Sequence, residues 1–200
     1  MNLPNRLTLT RCVLAAIFVV LMSFPSTPTY IVAYIVFTAA AITDHFDGRI
    51  ARKYNLITNF GKLMDPVADK VLMLAAFVML MQVEELWIPG WAVVTILARE
   101  FLITGARTLA AAEGLTLPAN SYGKAKTVLQ MVYVFTFFAL VIGWRLLTHA
   151  GMGAAYGDAV RTTFHRASMI GIVLVAIYTA VSGVQFALAN WKALNLHQVS

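Results

Sequence analysis

The stretch Asp44-His45-Phe46-Asp47-Gly48-Arg49-Ile50-Ala51-Arg52 is followed, eight residues on, by Gly61-Lys62-Leu63-Met64-Asp65-Pro66-Val67-Ala68-Asp69. Together the two segments hold four of the nine acidic residues in the chain. They are bracketed by apolar runs at residues 30–43 and 71–83. A carboxylate beside bilayer hydrocarbon is costly unless a partner compensates for lost water. Two pairs of aspartates at the edges of two apolar segments therefore read as the ends of two membrane helices around a divalent metal.

The rest of the chain agrees with a membrane setting. It is 60% hydrophobic and 12% charged, with a mean hydropathy of +0.76, more apolar than a soluble core of 200 residues requires. Six apolar segments are read, at residues 7–24, 30–52, 61–83, 87–112, 127–147 and 168–191. Each approaches or exceeds the ~20 residues a helix needs to cross the hydrocarbon. The predicted fold is all-α: one domain over residues 1–200, a bundle of six transmembrane helices with a short N-terminal interfacial segment. The first segment follows Arg6 and contains Arg11, cations of the kind that open a signal peptide, but no convincing small-residue cleavage site follows it. It is read as the first span.

Cys12 is the only cysteine, which excludes an intrachain disulfide and a Cys-rich metal cluster. The four histidines are scattered and form no helical pair suited to zinc. The net charge of +6 fits lysine and arginine orienting a membrane protein, or attraction to anionic lipid and phosphate. With both termini in the cytoplasm, twelve of the fifteen cations fall on that side; Arg145, Arg161 and Arg166 do not. That placement also puts all four aspartates at cytoplasmic helix ends. With no basic stripe on a soluble domain, nucleic acid is not an expected partner.

On a helix, Asp44, Asp47, Gly48 and Ala51 fall within a sector of roughly 100°, with Arg52 at its edge. Gly61, Asp65 and Asp69 form a second stripe. If the two helices are antiparallel neighbours, the four carboxylates converge, and hard oxygen ligands select magnesium, manganese or calcium. Gly48 and Ala51 clear space beside the metals, and Arg52 suits a phosphate. Pro66 fits if it lies in the first turn of the third helix, where its missing N–H costs little. His45 lies off the metal face and reads as a packing or interfacial residue.

The pattern Asp-x2-Asp-Gly-x2-Ala-Arg-x8-Gly-x3-Asp-x3-Asp resembles, without departure, the 26-residue signature of the CDP-alcohol phosphotransferases. The resemblance implies two Mg2+ (or Mn2+) ions held by Asp44, Asp47, Asp65 and Asp69. Asp44 and Asp65 would touch both ions, Asp47 one and Asp69 the other. It further implies that Asp69 is the catalytic base and that Gly48, Arg52 and Thr58 contact the CDP moiety. Asn5 and Thr8 are candidates for the same moiety, although Asn5 also reads as a helix N-cap. A homodimer is likewise implied.

The acceptor must be read elsewhere. Arg99 and Arg107 are ~80° apart on a helix and could face one cavity. Two arginines there suggest an anionic acceptor, whereas one alone could snorkel or pair with Glu100. Lys124 and Lys126 open the fifth segment, as cytoplasmic flanking charges or as substrate contacts. The stretches 58–70, 98–107 and 123–131 resemble the bacterial phosphatidylglycerophosphate synthase branch of the family. That implies transfer of a phosphatidyl group from CDP-diacylglycerol to glycerol 3-phosphate, with Arg99, Arg107, Lys124 and Lys126 on the acceptor phosphate. The expected location is a bacterial inner (cell) membrane, with the active site facing the cytoplasm. Rival readings are another acceptor (inositol, inositol phosphate, serine or phosphatidylglycerol), an intramembrane prenyltransferase, and a divalent-cation transporter. A prenyltransferase normally has two distant aspartate-rich motifs; a cation pathway needs neither Gly48 nor Arg52.

Overall fold

The computed structural model describes residues 3–54, 59–112, 114–115, 117, 121–151 and 157–191. For residues 3–8, 44–54, 59–69 and 121–122 the description covers the helical backbone and not the side chains. Six helices follow in order: α1 (Leu3–Met22), α2 (Thr27–Tyr54), α3 (Asn59–Leu80), α4 (Gly90–Ala112), α5 (Ser121–His149) and α6 (Gly157–Ala189). The backbone is already helical at Leu3, so the N-terminal segment forms the first turns of α1 and is not a separate element.

The helices pack through stripes at alternating three- and four-residue spacing, which keeps one face of a helix turned to its neighbour. In α1 the stripe is Arg11, Ala15, Phe18 and Met22; in α2 it is Tyr30, Ala33, Phe37 and Ala40. Fully buried alanines let backbones approach, and the aromatic rings fill the remaining space. Phe18 meets Phe37 at 5.6 Å between ring centroids and Phe138 of α5 at 6.1 Å. Tyr34 meets Phe138 edge-on at 5.4 Å. Such tilted and edge-to-face arrangements suit the quadrupoles of the rings.

Two triplets result. Among the described residues, helix α1 lies against both α2 and α3, and α2 and α3 touch each other over a smaller stretch. Helix α6 similarly lies against α4 and α5. Smaller contacts of α2 with α5, and of α3 with α4 and α5, join the triplets.

Helix ends follow local chemistry. The Ser26 N–H donates to Thr29 Oγ1 at 3.3 Å and the Thr29 N–H donates to Ser26 Oγ at 3.4 Å, a reciprocal cap at the start of α2. Helix α4 ends at Ala112, and Gly114 just beyond it has a φ of 76°, which suits a residue without Cβ. There the Leu115 N–H reaches the Ala110 carbonyl and the Gly114 N–H reaches the Ala111 carbonyl.

Two boundaries differ from expectation. Helix α3 begins at Asn59, so Pro66 lies in the helix interior instead of the first turn. It therefore offers no N–H to the carbonyl four residues back. Helix α6 begins at Gly157 instead of near residue 168. Asp158 in its first turn complements the helix dipole. Farther along, Phe164 packs edge-on to Trp144 at 6.4 Å and His165 to Trp87 at 6.1 Å. Aromatic contacts thus support turns whose exposed residues are too polar to register as an apolar span.

The exterior is that of a membrane protein. Leu102, Leu109 and Leu188 are each about 70% exposed, and Ile170, Leu174 and Val184 more than half exposed. A stable surface this apolar requires lipid instead of water. Among the described residues, α5 from Gly123 and the whole of α6 are long and apolar enough to cross a membrane.

At the end of the bundle away from the aspartates, Arg145 of α5 ties two connections together, those before α2 and before α4. Its Nε and Nη2 donate to Glu85 at 2.6 and 3.1 Å, and its Nη1 donates to the Pro25 carbonyl at 3.0 Å. The guanidinium lies 4.4 Å from the Tyr30 ring centroid. A two-pronged, largely buried ion pair is costly to break from one side only. Arg145→Met is therefore expected to destabilise the fold by about 2 kcal/mol, read as a lower thermal midpoint in detergent. Adding Glu85→Gln should cost little more; additive losses would show that the pair is not the cause.

Candidate active site

A cavity of about 170 Å³ opens between five helices. Its polar lining comes from Arg11 of α1, Lys70 of α3, Glu100 of α4, and Lys126, Thr127 and Gln130 of α5. Its position relative to the aspartate array follows from chain register. Lys70 is the residue after Asp69, and the lining residue Ala41 precedes Asp44 by less than one helical turn. Arg11 follows Thr8 by a similar interval. The cavity is therefore at the end of the bundle where the aspartate-bearing stretches of α2 and α3 meet the start of α1.

Asp44, Asp47, Gly48 and Arg52 lie on the helical backbone of α2, and Asp65 and Asp69 on that of α3. The three-residue spacing in α2 and the four-residue spacing in α3 put each aspartate pair on one helix face. The side chains of these residues, and those of Asn5 and Thr8 on α1, lie outside the described residues; so does all of Thr58. As a donor set, four carboxylates suit a hard divalent cation. The helical register of both pairs is compatible with such a centre.

The charged centre of the described cavity is Glu100. It is 6% exposed, deep enough that its carboxylate requires partners. Lys70 Nζ stands 3.1 Å from Oε2. Lys126 Nζ donates to Oε1, and Arg99 Nη1 approaches the same oxygen at 3.4 Å. One carboxylate thus joins cations from α3, α4 and α5. Beneath it, Gln130 Nε2 donates to Thr179 Oγ1 at 3.3 Å, extending the polar interior to α6.

The four cations predicted for an acceptor phosphate are not all at one point. Lys126 is buried in the cavity and Arg99 reaches it through Glu100. The stem of Arg99 crosses the α4–α6 interface, where an ideal Cβ on Gly183 would stand only 2.9 Å from Arg99 Cγ. Arg107 sits on the same side of α4, its guanidinium 5.0 Å from the Phe186 ring centroid. An open groove of about 600 Å³ runs along this interface, lined by Arg99, Leu102, Ala180, Val184 and Phe186 among others. Lys124 is exposed.

Sequence reasoning treated Glu100 only as a possible partner of Arg99, and it passed over Lys70 and Gln130. An available signal was the acid itself: a glutamate within an apolar segment needs cations from other helices.

A protein-family model described as CDP-alcohol phosphatidyltransferase matches residues 1–191. The chain belongs to that family. Among its relatives is a Bacillus subtilis (strain 168) CDP-diacylglycerol--glycerol-3-phosphate 3-phosphatidyltransferase, 36% identical over 96% of this chain and 97% of its own length. The Rickettsia bellii protein of the same name is 43% identical over 71% of this chain and 76% of its own. The corresponding Escherichia coli K12 protein is 39% identical over 66% and 73%. The chain is thus an enzyme of the CDP-alcohol phosphatidyltransferase family. Within that family, it combines the aspartate signature with a cavity lined by Arg11, Lys70 and Lys126, of which Lys70 follows Asp69 directly in the chain.

Proposed function

We propose that the chain transfers a phosphatidyl group from CDP-diacylglycerol to glycerol 3-phosphate, giving phosphatidylglycerol phosphate and CMP. The observation that carries this choice of acceptor is that Lys70 and Lys126 line one cavity, Lys70 directly following Asp69 in the sequence, while Arg99 reaches the same Glu100 carboxylate. Relatives similar over most of the chain bear the name of that reaction.

Asp69 takes the proton from the terminal hydroxyl of glycerol 3-phosphate. That oxygen bonds to the phosphorus carrying the diacylglycerol as the bond from this phosphorus to the CMP oxygen breaks. Two Mg2+ or Mn2+ ions held by Asp44, Asp47, Asp65 and Asp69 would polarise the diphosphate and offset the charge gathering on the departing CMP. Arg52 supports the same phosphates, with Gly48 and Ala51 leaving room for the nucleotide. Asn5, Thr8 and Thr58 complete the CDP contacts in this reading. Lys126 and Arg99, with Arg107 and Lys124 farther out, draw the acceptor phosphate in and orient its hydroxyl.

The proposed setting is a single domain of six membrane spans, with both termini and the active site on the cytoplasmic side of a bacterial inner membrane. The uneven distribution of cations supports that orientation. A homodimer is the proposed assembly.

The test is an acceptor panel on purified protein with CDP-diacylglycerol and magnesium. CMP and a phosphorylated glycerolipid should form with glycerol 3-phosphate, and not with glycerol, inositol, inositol phosphate, serine or phosphatidylglycerol. Preference for any of these reassigns the acceptor. Metal flux into liposomes without nucleotide turnover would instead indicate a transporter.

A further inference from the structure

Glu100 stands out because a buried carboxylate has no bond-making part in the transfer just described. It is nevertheless the described group that touches cations from three helices. Its two oxygens divide the work: Oε2 takes Lys70 of α3, and Oε1 takes Lys126 of α5 with Arg99 of its own helix beside it. Lys70, Glu100 and Lys126 all line the cavity. An ammonium group has three N–H donors, so the contact with Glu100 leaves Lys126 donors for a ligand oxygen.

Without the carboxylate, three cations held this closely would repel one another in a medium that screens poorly. Long lysine side chains answer such repulsion by turning away toward water. The carboxylate therefore holds the cations gathered before any ligand arrives. Holding groups in their working positions beforehand lowers the ordering cost of binding.

We propose that Glu100 is a positioning residue for the acceptor site, acting through Lys126 and Lys70 to keep the cavity ready for a phosphate-bearing alcohol. The inference rests on the functional reading above. It adds a role for an acid in a site whose ligand is itself an anion. Glu100 is set to act on acceptor binding and not on the chemical step.

The experiment is steady-state kinetics of full-length Glu100→Gln in detergent, varying each substrate in turn. Apparent KM for glycerol 3-phosphate should rise about tenfold, the scale of one charge-assisted contact. The apparent KM for CDP-diacylglycerol, and kcat at saturating acceptor, should stay within about twofold, because uniform acceptor binding is what was lost. Introduced into Lys126→Met, Glu100→Gln should raise the acceptor KM by less than it does alone, and introduced into Lys70→Met/Lys126→Met it should add little, since Glu100 acts through both lysines. If Glu100→Gln does not fold, Glu100→Asp carries the test: its retracted carboxylate should raise the acceptor KM to a lesser extent.

An unchanged acceptor KM, parallel losses for both substrates, or additive effects with Lys126→Met would each overturn the proposal. Failure of the functional reading appears separately, as wild-type protein that prefers another acceptor. The same comparison made with that acceptor then keeps the same outcomes.

Discussion

Asp69→Asn is expected to lower kcat for CMP release by about a thousandfold or more, the combined scale of losing a base and weakening a metal ligand. Asparagine keeps the shape of the side chain but accepts no proton and binds hard cations poorly. Lys70, the next residue on α3, reaches Glu100 at 3.1 Å. Chelation of the wild-type protein should produce a comparable loss, reversed by adding back magnesium or manganese. The variant should not recover in this way. Recovery of Asp69→Asn at high metal concentration would make Asp69 a ligand only, and turnover within tenfold of wild type would remove it from the chemistry. A thermal midpoint close to wild type excludes unfolding as the explanation.

Gly183→Val is expected to raise the apparent KM for glycerol 3-phosphate by about thirtyfold, the scale of a displaced charged hydrogen-bond donor. The reason is steric. A Cβ at this position would come within 2.9 Å of Arg99 Cγ, and valine adds two further methyl groups. Because the contact is with the stem of Arg99 and not its mobile tip, either the helices separate or the guanidinium leaves Glu100. Arg99→Ala introduced into Gly183→Val should then add little further loss, whereas additive losses would dissociate Gly183 from Arg99. Equal increases in KM for both substrates would indicate general loosening of α4 against α6.

What the sequence disclosed, and what it withheld, follows the range of the interactions. The aspartate signature is local: its chemistry is carried by spacing within two helices, so residues 44–69 could be read directly. The six apolar segments likewise correspond to the six helices among the described residues, because each helix exposes or buries a long apolar stretch. Boundaries were harder. The first turns of α6 carry Asp158, Arg161 and Arg166 and are supported by Trp144 and Trp87 from elsewhere in the fold. An apolar window has no means of seeing that support. Pro66 was misplaced for a related reason, since the helix begins at Asn59, more than a full turn before Pro66, which therefore lies beyond the first turn where proline is readily tolerated.

The cation cluster was the least legible part. Lys70, Arg99, Glu100 and Lys126 come from three helices, and only Arg99 and Glu100 are adjacent in the chain. Cytoplasmic lysines are common enough that orientation alone accounts for them. Their convergence on one acid is a property of helix packing, and so becomes visible only in three dimensions.

The division into two helix triplets has a consequence for how such an enzyme can diversify. Asp44, Asp47, Asp65 and Asp69 all belong to the triplet organised by α1, whereas Arg99, Arg107, Lys124 and Lys126 belong to the one organised by α6. On the proposed reading, donor chemistry and alcohol choice are thus inherited on separate halves of one chain. Substituting the later half could retarget the enzyme to a different headgroup while the earlier half went on splitting the same nucleotide. Lys70 is where the halves must still agree: it is carried by the first, yet its ammonium is held by Glu100 of the second.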